Sequence, residues 1–106
     1  MHQKLVELII QFEWNHGNLH KSWKKHDVSC EEAEQLFTNS PLIIADDAGH
    51  SKTEKRFLAL GKTDGDRKLL VAFTLRKHSV RIISTRPMNK RERDIYDKEE
   101  ARTVTD

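Results

Sequence analysis

The pair Asp64-Gly65, set between the runs Lys55 to Thr63 and Lys68 to Leu75, constrains this chain more than any other feature. Asp-Gly readily takes the positive backbone angles of a tight turn, and apolar runs on both sides read as strands, so the stretch is expected to be an antiparallel hairpin. A second turn at Arg76 to His78 leads into a strand over Ser79 to Arg86, with Val80 and Ile82 on one face and Arg81 and Ile83 on the other. Leu42 to Ala45 reads as a further short strand, and Asp46 to Lys52 as an exposed loop rich in turn formers.

Upstream, Leu8, Ile10, Phe12 and Trp14 alternate with Ile9, Gln11 and Glu13, the two-residue period of a half-buried strand. Asn15 is placed to cap a short helix reaching about Lys25, along which Leu19, Trp23 and His26 recur at helical spacing, although Gly17 weakens it. Ser29 and Glu32 have the spacing of a capping box, in which each side chain satisfies an unpaired amide of the first turn. A second helix therefore starts there, with Ala33, Leu36 and Phe37 on its apolar side and Asn39, Ser40 and Pro41 as its stop. Asn89 and Glu92 repeat the box before a terminal helix carrying Ile95, Tyr96 and Glu99, with fraying expected beyond Arg102. The order predicts an α+β fold: a small antiparallel sheet with two N-terminal helices and a C-terminal helix, the helices on one face. At 106 residues this is one domain, 1–106, without repeats or linkers.

Charged residues make up 34% of the chain, and no apolar run approaches the roughly 18 residues of a membrane span. Cys30 is the only cysteine, which excludes an internal disulfide framework and, with no export signal read at the N-terminus, points to the cytoplasm. The net charge of +2 permits an RNA partner without demanding one.

The candidate chemistry lies in two basic groupings, Lys21 to His26 and Arg76 to Arg93, for which a solvated face is the competing reading. Arg56, Arg81 and Arg86 sit inside strand patterns, so arginines from adjacent strands can converge on a phosphate and its developing charge. A salt bridge to Glu54 or Glu13 is the alternative. His26 has a pKa range suited to proton transfer near neutrality. Trp14, at a strand end, is either a stacking platform for an unpaired base or a core residue. Asp46, Asp47 and His50 include types that bind divalent metals, but their spacing matches no closed metal motif. Cys30 reads as a small buried residue.

Taken together, Phe12-Glu13-Trp14, Lys25-His26, Val28-Ser29 with Glu31-Glu32-Ala33, Glu54-Lys55-Arg56-Phe57, Leu60-Gly61, Phe73-Thr74, Arg81 to Arg86, Lys90 to Arg93 and Tyr96 resemble the BrnT family of bacterial toxins, in the family's order and spacing. The resemblance implies a RelE-like ribonuclease that cleaves RNA without metal or other cofactor. It also implies a BrnA-like ribbon-helix-helix antitoxin through which alone operator DNA is contacted, and no membrane partner. On that basis Arg56, Arg81 and Arg86 are assigned to phosphate and transition-state charge, and Lys25 and His26 to proton transfer or electrostatic help. Glu54 is an alternative base or an orienter of Arg56. Trp14, Lys21, Lys24 and Tyr96 are assigned to RNA contact. The chain departs from the family pattern at Asn15 (usually Asp), Asn18 (Lys), Ser22 (Asn) and Asp27 (Gly). Those departures keep open a second reading, a weak catalyst that mainly complexes an antitoxin and supports operator repression.

Overall fold

The computed structural model describes residues 11–14, 16–50 and 54–105, so the expected strand residues Leu8 to Ile10 and the cap at Asn15 lie outside the described residues. The elements are β1 (Gln11–Trp14), α1 (His16–His26), α2 (Cys30–Gln35), β2 (Ile43–Asp46), a 3-10 turn at Ala48–His50, β3 (Arg56–Lys62), β4 (Lys68–Arg76), β5 (Ser79–Pro87) and α3 (Lys90–Thr105).

Both capping boxes form. Ser29 Oγ accepts from the Glu32 amide at 3.2 Å while Glu32 Oε1 accepts from the Ser29 amide at 3.1 Å. Asn89 and Glu92 make the same reciprocal pair at 2.8 and 2.9 Å. The hairpin forms too, but its left-handed residue is Asp66, with φ of 67°, and no described glycine has a positive φ. The Asp66 amide donates to Thr63 O at 2.9 Å and the Thr63 amide to Arg67 O at 2.9 Å, so the loop is the three-residue kind, a turn closed by one left-handed residue.

The strand order is β1-β5-β4-β3-β2. Three of the pairings are antiparallel, but β1 runs parallel to β5, from Gln11 beside Ser79 to Trp14 beside Ile82. The sheet is therefore mixed, which corrects the expectation of an antiparallel one. Tight turns announce hairpins locally, whereas a parallel pair joined by a long crossover leaves no such mark.

The helices also do not share one face. Along β4, Leu69, Val71 and Phe73 point one way and Leu70, Ala72 and Thr74 the other, and all six are buried. Such a strand needs cover on both sides. On the first face Leu36 packs so closely over Gly61 that an added Cβ would come within 2.8 Å of its Cγ. There Val28, Ala33 and Leu36 join Ala59, Leu69, Val71, Phe73, Val80 and Ile82 in the main core. On the second face α3 is fastened by Lys62 to Glu100 at 2.7 Å and Lys68 to Asp97 at 2.6 Å.

Candidate active site

A bulge in β5 builds the site. Phe73 pairs with Ile82 but Ala72 pairs with Ser84, leaving Ile83 as an extra residue. In an unbroken strand Arg81 and Arg86, five positions apart, would point to opposite faces; the bulge reverses the alternation and puts both on the second face. Arg56 lies on that face as well, opposite Thr74, which in turn is opposite Arg81. Among the described residues β1 ends beside Ile82 and no strand continues along that side of β5, and α1 packs against β5.

The result is an open cavity of about 270 Å³ lined by Lys21, Ser22, Lys25 and His26 from α1, Arg56 from β3 and Ile83, Ser84, Thr85 and Arg86 from β5. Burial first, and then the charges of Lys25, Arg86 and Lys21, hold the His26 pKa below its ordinary 6.5. The imidazole is therefore neutral near pH 7 and able to accept a proton. Arg86 is held in a two-pronged pair with Glu92, both contacts 2.8 Å, and this bonding raises the arginine's pKa and lowers that of the carboxylate. Arg56 Nε lies 3.5 Å from Asp47 Oδ2. Thr85 is 1% exposed, and its hydroxyl has no hydrogen-bond partner among the described residues. A buried unsatisfied hydroxyl in the wall suits a ligand rich in oxygen atoms.

The end of α1 is fixed from two directions. Asp27 takes φ of 53° and donates its amide to Trp23 O at 3.1 Å, closing the helix with a left-handed cap. Arg67, in the hairpin, donates to His26 O at 2.9 Å and to Asp27 O at 2.7 Å while pairing with Glu32 at 3.3 Å. Sequence reasoning missed Arg67, since nothing local links it to a helix some 40 residues earlier; it missed Ser22 and Thr85 as well.

Other expected site residues lie elsewhere. Arg81 shares the sheet face of Arg56 but does not line the cavity, and Lys24 is exposed outside it. Glu54 pairs with Arg76 at 3.1 Å rather than with Arg56. Trp14 packs against the core and donates its indole N–H to Glu34 Oε2 at 3.0 Å. Tyr96 is fully buried, its hydroxyl donating to Pro41 O at 2.8 Å, and burial pushes its pKa up to about 12. Asp46 pairs with Lys55 at 3.7 Å, and the His50 side chain lies outside the described residues. Among the described residues no group of three or more His, Cys, Asp or Glu side chains is arranged to hold a metal ion. No described helix is long and apolar enough to cross a membrane.

Residues 14–92 match the family described as the ribonuclease toxin BrnT of type II toxin-antitoxin systems. This chain belongs to the BrnT family. The matched stretch contains every residue of the cavity lining and ends before Tyr96. Among solved structures, the crystal structure of the Brucella abortus ribonuclease toxin BrnT matches with a TM-score of 0.57 at 17% identity, covering 76% of this chain and 99% of that one. At that identity the likeness is one of fold. Among curated proteins no sequence matches. BrnT membership implies an antitoxin partner and an RNA substrate. The left-handed angle at Asp27 is one that a glycine would adopt without strain.

Proposed function

We propose that this BrnT-family toxin is a metal-independent endoribonuclease that inhibits translation by cutting RNA, and that a BrnA-like ribbon-helix-helix antitoxin neutralises it and carries the contacts to operator DNA. The observation that carries this reading is the neutral His26 set among Lys21, Lys25, Arg56 and Arg86 in one cavity. Metal-free cleavage needs an acceptor for the 2′-hydroxyl proton, positive charge for the phosphoryl oxygens, and a donor for the leaving oxygen. His26 takes the proton as the 2′-oxygen attacks phosphorus. Arg56 and Lys25 stabilise the charge gained by the non-bridging oxygens, and the Lys21 ammonium protonates the departing 5′-oxygen. Arg86, anchored by Glu92, holds the field at His26 and fixes the cavity wall. Arg81, on the sheet face of Arg56, extends the positive surface toward β1 for a neighbouring phosphate.

The test is cleavage of a defined single-stranded RNA by purified, antitoxin-free protein in excess EDTA. The wild type is expected to cut, and His26→Ala to cut about 10²- to 10⁴-fold more slowly, the usual worth of a general acid or base. Loss of wild-type cleavage in EDTA with recovery on added Mg²⁺ would overturn metal independence. Folded wild type that cuts in neither condition would replace this reading with that of a complex-forming module.

A further inference from the structure

Trp23, which recurs at helical spacing with Leu19 and His26, is 57% exposed, so a large aromatic face is turned to solvent. It sits on α1, the helix that contributes Lys21, Ser22, Lys25 and His26 to the cavity. Residues three apart on a helix are surface neighbours, about 5–6 Å between Cβ atoms, so Trp23 adjoins His26 on the helix surface, while Trp23 itself does not line the cavity. Lys21 and Lys25, two positions before and after it, lie on the cavity side of the helix, and the exposed Lys24 follows it directly in the chain. The other tryptophan is committed inward, bonded to Glu34.

We propose that Trp23 is the subsite for an unpaired nucleobase adjoining the scissile phosphate, so that the substrate class is single-stranded RNA held by one stacked base and by lysines on its backbone. The inference rests on the ribonuclease reading of the cavity. An indole face accepts any base by stacking, while ammonium groups bind phosphate without reading sequence. The two together are what an extended strand presents: a flat ring and a charge at each nucleotide. The adjoining cavity, lined by Lys21, Lys25, Arg56 and Arg86, suits a phosphate, and a ring one helical turn from His26 lies where the base of a neighbouring nucleotide would fall, so the combination favours nucleic acid.

The probe is a short single-stranded oligonucleotide, 2′-O-methylated throughout so that no 2′-hydroxyl is left to attack. Its addition is expected to quench the tryptophan emission of the wild type. An abasic strand of the same length should quench far less, and Trp23→Phe, which keeps Trp14, should lose the quenching by the full probe. Trp23→Ala is expected to raise KM for single-stranded RNA about tenfold with kcat little changed, which corresponds to about 1.4 kcal/mol. Equal quenching by the abasic strand, or an unaltered KM in Trp23→Ala, would overturn the proposal. Unaltered KM accompanied by weakened antitoxin binding would assign the indole to the protein partner instead. The quenching experiment needs no cleavage, so quenching by the full probe from a protein that fails to cut RNA would refute the ribonuclease reading while leaving the base subsite standing.

Discussion

The two halves of β5 show how one strand serves two ends. From Ser79 to Ile82 it lies between β4 and β1, and Val80 and Ile82 go into the core. From Ile83 onward it keeps β4 but, among the described residues, has no strand on its other side, and four consecutive residues line a polar cavity against α1. The difference comes from one inserted residue and the end of β1, not from a change of strand. A bulge leaves the ladder mostly paired while re-aiming the side chains beyond it, which is why such features collect near functional sites. The first half resists change because it is packed, and the second tolerates change in the fold but not in the chemistry.

The sharpest way to break this contrast is to cut into each half separately. Ile82 is fully buried, and Ile82→Ala is expected to cost about 3 kcal/mol, read as a lower denaturation midpoint, because transfer and cavity terms add. Ser84→Ala, at an exposed position past the bulge, is expected to change stability by no more than about 0.5 kcal/mol. Equal losses at the two positions would mean that the bulge does not divide the strand.

The parts legible in the sequence are those whose cause is local. Ser29 and Glu32 sit within one turn of each other, as do Asn89 and Glu92, and the hairpin declares itself over a dozen residues. The parallel pairing of Gln11–Trp14 with β5 is set by partners more than sixty residues apart, and no turn signals it. The cover on both faces was within reach: Leu69 to Phe73 is an unbroken apolar run, the mark of a strand buried on both sides. At the site, residue type and family spacing pointed to Lys21, Lys25, His26, Arg56 and Arg86. They left Trp14 open between a stacking platform and the core, and gave Trp23 no role, because which indole is buried depends on Glu34 and on the core, not on either residue's neighbours. The bulge at Ile83 shows in the sequence only as the doublet Ile82-Ile83, where the alternation breaks, and an apolar doublet does not by itself announce a bulge.

Arg67 tests whether the cavity depends on the other side of the molecule. Arg67→Ala removes donors to the carbonyls of His26 and Asp27 and the partner of Glu32, and it is expected to cost about 2 kcal/mol, in the range for hydrogen bonds to charged groups. Arg67→Lys should recover part of that stability through Glu32. It should not recover the cleavage rate, since a single ammonium cannot span both carbonyls as a guanidinium fork does. Full recovery of single-turnover rate in Arg67→Lys would mean that the clamp holds the fold and not His26.

The smallest expected effect bears most directly on mechanism. His26 is held below 6.5 by burial first and by Lys25 next, so Lys25→Gln should move its pKa upward but, with burial unchanged, leave it below 6.5. If the neutral imidazole is the proton acceptor, cleavage falls as pH drops through that pKa, and Lys25→Gln moves the midpoint of the acid limb to higher pH, whatever happens to the maximal rate. If instead protonated His26 were the working form, activity would fall as pH rises through the same pKa, and the substitution would extend activity to higher pH. The position of the limb, acid or alkaline, thus separates the two roles of one side chain, and its direction of movement shows that Lys25 acts on it through charge.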